Sequence, residues 1–426
     1  MIPAARLQSA LEVLETIDSR PQPADSILNQ YFRAHRFMGS SDRAVVAEHV
    51  YGTLRAWARL GWVLEQQKAE PSPRLRLMAK LILVDGNKAD SAAGLFNGSQ
   101  HGPTPLTTQE RRLLHSLPDT VLEPSAMPQA VRLECPEWAE AGMKATLGES
   151  FEAELRAMQS AAPMDLRVNT LKSTREAVFD QLRTDGLKVE MGRLTPWALR
   201  VQGRPPLVAH PLFQQGAVEV QDEGSQTIAL ALDPQPGERV VDFCAGAGGK
   251  TLALAAMMNS KGTLIACDIL PRRLAQATLR FRRAGLSNTR TQLLTGVSDP
   301  WIKRHAQSFH RVLVDAPCSG SGTWRRNPDA RWRRLGPDLA ELIQLQAQIL
   351  ASAARLVRPG GRLVYATCSL LVEENDQQID NFIMNNSEFK KVPISLLDKE
   401  HTPLRLWPAR NGTDGFFAAA LQRAQE

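Results

Sequence analysis

From about residue 226 onward, short apolar runs alternate with longer amphipathic segments, and this alternation limits the possible folds more than any other feature. The apolar runs predict buried strands at 239–243, 263–267, 292–295, 311–314 and 362–366. The segments between them predict helices at 250–258, 271–284 and 337–357. This alternation predicts a doubly wound, mostly parallel α/β sheet. We also expect a Pro-Gly-Gly turn at 359–361 and a last, antiparallel strand at 415–421.

Two of the predicted strands are followed closely by a cysteine. Asp315-Ala-Pro-Cys318 and a Ser/Gly turn follow one strand, and Thr-Cys368-Ser follows another. In an open α/β sheet the carboxyl ends of the strands line the ligand site, so we expect both thiols there. The chain has only five cysteines, an odd and small number that argues for a reducing compartment and against a disulfide framework. The pattern therefore suggests paired thiol chemistry.

The first predicted strand ends in a glycine-rich loop at 244–251, Cys-Ala-Gly-Ala-Gly-Gly-Lys-Thr. Glycines let the backbone approach a ligand, and free amides are available where the helix begins. A phosphate loop would need Gly at 244, and a dinucleotide fingerprint would need Gly at 251. Asp268, after the second strand, suits the two ribose hydroxyls of a nucleoside. These parts favour S-adenosylmethionine, with a dinucleotide or a nucleoside triphosphate as alternatives.

The first 130 residues have the periodicity of a helical bundle. Apolar residues recur every three or four positions from Val46 to Leu64, and Asp42 is the predicted N-cap of that helix. Basic residues lie between the apolar ones, either as a solvated surface or as an RNA-contacting face. They are Arg33, His35, Arg36, Arg43, Arg55, Arg59, Arg74 and Arg76.

Residues 137–225 predict a small α+β domain. The run 164–171 alternates like a strand, which would leave Arg167 and Asn169 on an exposed face. Ser173 to Glu176 has the spacing of a capping box, and the helix that it starts should end before Gly186. Cys135, just before this domain, has no reactive partners nearby in sequence and is interpreted as structural.

Charge and hydropathy indicate the partners. The net charge of +6 and the pI near 9.2 suit a polyanion. Arginines and tryptophans alternate at 324–334, where we expect contacts with phosphates and unstacked bases. A second basic group, a weaker candidate for RNA contact, lies at 271–284: Arg272, Arg273, Arg280, Arg282 and Arg283.

Other features set expectations about location and metals. No apolar run approaches 18 residues, and the first residues lack the apolar core of a signal peptide, so no membrane span is expected. We expect a cytoplasmic monomer. No Cys/His spacing fits zinc, so no metal is expected.

Seven segments together resemble the RsmB/NOP-type RNA cytosine-5 methyltransferases: 167–172, 220–226, 244–251, 315–322, 325–329, 366–369 and 412–417. The first third is similar to the NusB-like domain of the bacterial RsmB branch, at 24–28, 35–39 and 42–55. The resemblance implies a NusB-like RNA-binding bundle (1–130), a small α+β RNA-binding subdomain (137–225) and a Rossmann-like methyltransferase domain (226–426). It implies S-adenosylmethionine-dependent methylation of carbon 5 of a cytosine in ribosomal RNA, of the 16S type.

The resemblance also implies roles for individual residues. Cys368 is the attacking nucleophile, Cys318 assists elimination of the product, and Asp315 binds the N3/N4 edge of the base near the methyl donor. The implied cofactor-binding residues are Cys244, Ala245, Gly246, Ala247, Gly248, Gly249, Lys250, Asp268 and Asp315.

Two departures from the family pattern concern the cofactor. Gly246 and Ala247 stand where the family usually has Ala and Pro, and Gly296 stands near the usual adenine-contacting Asp, with Asp299 three residues on. Three alternatives stay open at this point. They are attack by Cys318, as in DNA cytosine-5 methyltransferases, a non-catalytic RNA-binding assembly factor, and a transfer-RNA methylase of the same chemistry.

Overall fold

The computed structural model describes residues 1–333 and 335–425, which fall into two compact units. The helical unit comprises residues 1–144, 148–161 and 324–336, apart from residue 334. The sheet unit comprises 145–147, 162–323 and the described residues from 337 onward. Within the described residues, no helix combines the length and apolarity needed to cross a membrane. The three predicted domain ranges stay a prediction.

The helical unit contains the all-α segment that the periodicity predicts. Its helices are α1 (Pro3–Ser19), α2 (Ala24–Ala34), α3 (Ser40–Arg55), α4 (Trp57–Gln66), α5 (Pro73–Leu83), α6 (Ala89–Ala93), α7 (Thr108–Ser116), α8 (Gln129–Arg132), most of α9 (Glu137–Leu147) and α10 (Phe151–Ala157). The apolar faces of α1 to α7 meet in one core, in which Leu14, Val50 and Leu60 are fully buried. Burial of these faces, more than local propensity, stabilises helices of this length.

The predicted N-cap of α3 is wrong. The cap position is Gly39, and Asp42 lies in the first turn of the helix. Asp42 accepts a hydrogen bond from Arg6 Nε at 2.7 Å and another from the Met1 amino group at 3.2 Å. The tertiary ion pairs with Arg6 and Met1 thus use the carboxylate that local propensity would assign to a cap.

A small antiparallel sheet with strand order β2-β3-β1-β4 opens the sheet unit. Its elements are β1 (Met164–Val168), α11 (Arg175–Thr184), β2 (Val189–Met191), β3 (Ala198–Val201), α12 (Pro211–Gln214) and β4 (Val218–Val220). Thr174 caps α11, so the predicted capping box at 173–176 is wrong, although the helix does end before Gly186.

Arg167 and Asn169 are buried, contrary to the expected exposed face, with 2% and 3% of their surface accessible. The Asn169 side-chain amide donates to the carbonyls of Gly216 and Ala284, both at 3.0 Å. Arg167 Nε donates to Gln221 Oε1 at 2.8 Å. Because buried polar groups need partners, both side chains tie strands and loops together within the sheet unit.

The large sheet has the order β10-β14-β9-β8-β5-β6-β7, with β13 paired to β14. Its strands are β5 (Arg239–Asp242), β6 (Thr263–Asp268), β7 (Thr289–Leu293), β8 (Phe309–Asp315), β9 (Val357–Thr367), β10 (Phe389–Val392), β13 (Leu404–Leu406) and β14 (Phe416–Arg423). β11 (Ile394–Leu396) and β12 (Lys399–His401) form a separate pair. The helices are α13 (Glu223–Leu232), α14 (Gly249–Met257), α15 (Pro271–Ala284), α16 (Pro300–Arg304), α17 (Leu339–Ala354), α18 (Asp376–Asn385) and α19 (Pro408–Asn411).

The predicted doubly wound sheet is confirmed. β5 to β9 are parallel neighbours, and β14 joins β9 antiparallel, as expected. Alternate residues of one strand enter opposite cores: Val312 and Val314 lie in one cluster, Leu313 in the other. A sheet covered on both faces therefore directs ligands to its edges, in particular to the carboxyl ends of the parallel strands.

Several boundaries differ from the prediction, among them those of β7 and β9. β7 spans Thr289–Leu293 rather than 292–295, and none of its residues is buried, contrary to the predicted buried strand. The Pro-Gly-Gly at 359–361 lies inside β9 instead of in a turn before it. Pairing with β8 shifts register there, since Phe309 faces Val357 whereas Arg311 faces Arg362. The extra residues form an irregularity of the bulge type, which Pro and Gly tolerate.

Candidate active site

Cys318 and Cys368 come together at the carboxyl ends of two parallel strands. β8 and β9 are neighbours in which Asp315 pairs with Ala366, so the residues after each strand meet at one edge. The two Sγ atoms are 3.5 Å apart, and both side chains are half-buried. The sequence prediction that two thiols share one site is therefore consistent with the geometry.

The two thiols have different environments. The hydrogen bond with Cys368, together with burial, raises the pKa of Cys318 well above its ordinary value, and Glu374 adds to the effect. Cys318 therefore stays a protonated thiol at neutral pH and can donate its S–H to the Cys368 sulfur. A thiolate at Cys368 would be stabilised by that proton.

Glu374, which the sequence analysis did not single out, holds the turn that carries Cys318. Its fully buried carboxylate accepts from the Ser319 amide at 2.8 Å and from the Ser319 hydroxyl at 2.5 Å. Gln346 of α17 donates to the same carboxylate and to the Pro317 carbonyl, both at 2.9 Å. A buried, hydrogen-bonded network of this kind fixes the rotamers around a reactive group.

A second network joins the two cysteine turns. The hydroxyls of Ser321 and Ser369 are 3.0 Å apart, and the Gly322 amide donates to the Cys368 carbonyl at 2.9 Å. Gly322 also packs against Gly415, whose carbonyl oxygen would lie 2.4 Å from a Cβ at position 322. This close backbone approach explains why both positions need glycine.

Lys250 and Asp315 form an ion pair beside the thiols. Lys250 Nζ donates to Asp315 Oδ2 at 2.6 Å and lies 5.6 Å from the Phe416 ring centroid. Burial alone would lower the pKa of Lys250, but the Asp315 carboxylate outweighs it and the net pKa is raised. The lysine is therefore a fixed cation, and it orients the carboxylate at the edge of the sheet.

The glycine loop between β5 and α14 forms an open cradle. Gly246 and Gly248 have φ of +54° and +78°, values that disfavour other residues. A Cβ at Gly248 would lie 2.5 Å from the Phe281 ring, whereas a Cβ at Gly246 would meet nothing within 4 Å. Gly248 thus serves packing, and the backbone at Gly246 faces free space that a ligand can occupy.

Asp268 already holds the loop. Its Oδ2 accepts from the Gly246 amide and its Oδ1 from the Leu270 amide, each at 2.8 Å. Each carboxylate oxygen retains a second lone pair, so the residue fits a ribose diol as well. The predicted cofactor residues at 244–250 and Asp268 therefore surround one cradle.

Cys244 lies at the buried side of the cradle. Burial, with a contribution from Asp242, raises the pKa of its thiol well above the ordinary value. Asp242 is itself buried, which raises its pKa to about 7, and its Oδ2 accepts from Thr251 Oγ1 at 2.7 Å. The Cys244 thiol therefore stays protonated at neutral pH.

Asp299, the nearest carboxylate after Gly296, is used by its own loop. It caps α16 through the Trp301 amide and also accepts from the amide and the hydroxyl of Thr295, all at 2.8 Å. Three donors on one carboxylate leave little capacity for an adenine amino group. Gly296 has no side chain that could replace it.

Arg280 connects the cradle to the small sheet. Its Nη1 donates to the Ala247 carbonyl at 2.7 Å and its Nη2 to Glu219 Oε2 at 3.0 Å. Arg283 donates to Glu219 Oε1 at 2.5 Å. The sequence suggested RNA contact for this group, but these two arginines pair within the protein, while Arg272, Arg273 and Arg282 are exposed.

We expect Arg280→Met to raise the dissociation constant for S-adenosylmethionine about tenfold, because a charge-assisted hydrogen bond is worth about 1.5–3 kcal/mol. Isothermal titration calorimetry on the full-length protein measures the constant. Arg272→Met, on the exposed side of the same helix, is the matched control and should bind like the wild type. Equal affinities for the two variants would contradict a positioning role for Arg280.

Trp324, Arg325 and Arg331, three residues of the predicted RNA surface at 324–334, are buried instead of exposed. Trp324 is fully buried and meets Trp138 edge-on, with ring centroids 6.0 Å apart. Arg331, 1% exposed, donates to the Met158 carbonyl at 2.7 Å. The Ala24 amide donates to Asp329 at 2.9 Å. This segment completes the helical unit; Arg334 lies outside the described residues.

Solved structures similar to this chain indicate its class. It is similar to PH0851 over 99% of both chains, at 29% identity and a TM-score of 0.79. It is also similar to a methyltransferase homolog protein from Pyrococcus horikoshii, over 71% of this chain and 99% of the other, at 27% identity and a TM-score of 0.60. Fold and cradle define a Rossmann-like, S-adenosylmethionine-dependent methyltransferase.

The family follows from closer relatives. Probable ribosomal RNA small subunit methyltransferase B of Synechocystis is 30% identical over 98% of this chain and 99% of its own. Ribosomal RNA small subunit methyltransferase B of Salmonella paratyphi B is 30% identical over 96% of both. A sequence-family model described as 16S rRNA methyltransferase RsmB/F matches residues 229–422. A second family model, described as the RsmF/B-like, ferredoxin-like domain, matches residues 135–207. The chain belongs to the RsmB/F family and is an rRNA methyltransferase.

Proposed function

We propose that the protein methylates carbon 5 of a cytosine in 16S rRNA through a transient covalent bond between Cys368 and carbon 6. The observation that carries the proposal is the pair of sulfur atoms 3.5 Å apart, next to Asp315, at the carboxyl edge of the sheet. The relatives that act on small-subunit rRNA support the substrate. The target base must leave its stack to enter such a site.

Carbon 5 of cytosine is a poor nucleophile, and addition of a thiolate to carbon 6 makes it a better one. When Cys368 Sγ adds to carbon 6, the ring becomes an enamine whose carbon 5 can accept a methyl group. Loss of the carbon-5 proton then lets the carbon–sulfur bond break and restores the aromatic ring. The enzyme needs a thiolate that adds readily and also leaves readily.

We assign attack to Cys368 and release to Cys318. The raised pKa of Cys318 keeps a proton next to the Cys368 sulfur. That proton stabilises negative charge on Cys368 when the thiolate departs from carbon 6. Attack by Cys318 is the arrangement of DNA cytosine-5 methyltransferases, and the membership of this chain in the RsmB/F family argues against it.

Asp315 is the proposed contact for the base. The Lys250 ammonium holds one carboxylate oxygen at 2.6 Å and leaves the other for a substrate. A carboxylate can accept from the cytosine amino group and stabilise a proton that N3 gains as the thiolate adds. The fixed lysine cation keeps this carboxylate oriented toward the sheet edge.

The cradle is the proposed cofactor site. The loop 244–250 and Asp268 would hold the nucleoside, and S-adenosylmethionine would supply the electrophilic methyl group there. Gly246 presents its backbone to the free space, and the amides that begin α14 offer further donors. Asp299 is the weaker candidate for the adenine contact, because three donors already occupy its carboxylate.

The proposal extends to the rest of the chain. We assign 1–130 to a NusB-like RNA-binding bundle, 137–225 to an RNA-binding subdomain and 226–426 to catalysis. The helical character of the first segment supports the assignment. An rRNA substrate suits a cytoplasmic protein, and we propose a monomer, which sedimentation analysis would test.

Methylation of an unmodified 16S rRNA transcript tests the proposal. We expect 5-methylcytosine at one position, detected by nucleoside mass spectrometry and located by bisulfite sequencing. A non-catalytic assembly factor would bind RNA and yield no methylcytosine. Preferential methylation of transfer-RNA transcripts under the same conditions would transfer the activity to that substrate and overturn the 16S assignment.

A further inference from the structure

Three arginines of the helical unit line one open cleft. Arg33 of α2, Arg36 after it and Arg43 in α3 line a cleft of about 360 Å³, together with Asn29 and Phe32. Within the described residues, none of the three arginines forms an ion pair. Arg33 and Arg36 are exposed. Their charge is thus available to a ligand.

Other basic residues of the same unit are already used. Arg59 pairs with Glu123 at 2.7 Å, and Arg74 pairs with Glu110 at 2.7 Å. The Arg76 guanidinium lies 4.1 Å from the Trp57 ring centroid. The sequence alone did not show which of these basic residues could contact RNA. In the structure, Arg59, Arg74 and Arg76 contact other residues of the protein, whereas Arg33, Arg36 and Arg43 line the cleft.

Contacts with Phe32, which also lines the cleft, hold the Arg43 side chain in place. Its Nη2 donates to the Phe32 carbonyl at 3.5 Å, and its guanidinium lies 5.6 Å from the Phe32 ring centroid. Its buried Nε has no hydrogen-bond partner within the described residues. A buried donor without a partner is costly, so an anion in the cleft would be stabilised there.

An aromatic stack lies on the same stretch of chain as Arg33 and Arg36. Tyr31 and His35 stack with ring centroids 4.0 Å apart, and Phe37 packs edge-on against His35 at 5.8 Å. Phe37 is 72% exposed, which is unusual for so large an apolar side chain. A supported, exposed aromatic ring beside arginines suits a nucleobase that has left its stack.

We propose that the cleft between α2 and α3 is a second rRNA-binding surface, in which Arg33, Arg36 and Arg43 bind backbone phosphates and Phe37 stacks on an unpaired base. The inference rests on the proposed function, since it assumes an RNA substrate. An acidic protein would match the arginines but would give the exposed Phe37 no planar partner. A single-stranded RNA segment matches both features.

The test compares two triple variants of the full-length protein. Arg33→Gln/Arg36→Gln/Arg43→Gln removes the cleft charges, and Lys88→Gln/Arg111→Gln/Arg112→Gln removes three exposed charges elsewhere in the helical unit. Binding of labelled 16S rRNA transcript is measured by filter binding over a range of salt concentrations. We expect the cleft variant to bind roughly tenfold more weakly, with a log–log salt slope shallower by about 2.

Methylation kinetics give an independent readout. The cleft variant should show a raised KM for RNA, with kcat at saturating RNA and affinity for S-adenosylmethionine unchanged. Phe37→Ala should weaken RNA binding about fivefold or more while leaving the salt slope unchanged. Equal RNA affinities of the cleft and control variants would overturn the proposal. Loss of RNA affinity in the cleft variant supports the RNA-binding cleft even if no methyl transfer is detected. Absence of methyl transfer by the wild-type protein would refute the proposed function and not the cleft.

Discussion

Cys368→Ala is expected to lower kcat for cytosine methylation by about 10⁴-fold or more, the scale of losing a covalent nucleophile. Without Sγ no bond to carbon 6 can form, and carbon 5 stays too electron-poor to accept a methyl group. Tritium release from 5-³H-cytosine in a 16S transcript measures the loss of the carbon-5 proton directly. Neither RNA binding nor the affinity for S-adenosylmethionine should change, because the cradle is formed by other residues.

Cys135→Ala is the matched control, since it removes a sulfur from a buried position of the helical unit, where burial raises the pKa of the thiol to about 12. It should keep wild-type activity. If Cys368→Ala still methylates carbon 5 at a comparable rate, the assignment of the nucleophile is wrong.

Cys318→Ala is expected to accumulate a covalent protein–RNA complex. In the wild type the Cys318 thiol is 3.5 Å from Cys368 and its raised pKa keeps it protonated. Removing that proton makes Cys368 a stronger nucleophile and a poorer leaving group, so the equilibrium shifts toward the adduct. A shifted band on a denaturing gel, sensitive to ribonuclease, measures the complex.

The double variant Cys318→Ala/Cys368→Ala is the control for this experiment and should give no shifted band. Cys318→Ala protein that turns over normally and leaves no adduct would rule out Cys318 as the releasing group. If Cys368→Ala formed the adduct instead, Cys318 would be the nucleophile, as in DNA cytosine-5 methyltransferases, and Cys368 the releasing group.

The central sheet could be predicted because its signals are local. Four of the five parallel strands, β5, β6, β8 and β9, contain a short apolar run, and α15 lies at the predicted 271–284. The meeting of Cys318 and Cys368 follows from one topological rule, that neighbouring parallel strands end at the same edge. Short edge strands such as β10 and β13 escaped prediction because a few residues carry too little periodicity.

The supporting residues could not be predicted, since their partners are distant in sequence. Glu374 reaches Ser319, and Gln346 of α17 reaches Pro317, through contacts that only the folded chain creates. The available signal was the spacing of Gln346, which lies on the same helical face as Leu342 and Ile349. Charge patterns misled for the same reason, since Arg331 and Trp324 look like an RNA surface in sequence and are buried in the fold.

The segment 324–333, which carries the buried side chains of Trp324 and Arg331, also bears on biosynthesis. It leaves the turn of Cys318 and supplies Trp324 and Arg331 to the interior of the N-terminal helices. The N-terminal part of a chain is synthesised first. The N-terminal helices therefore stay incompletely packed until residues 324–331 have been translated. Expression of the first 161 residues alone should accordingly yield an unstable fragment that a nascent-chain chaperone retains.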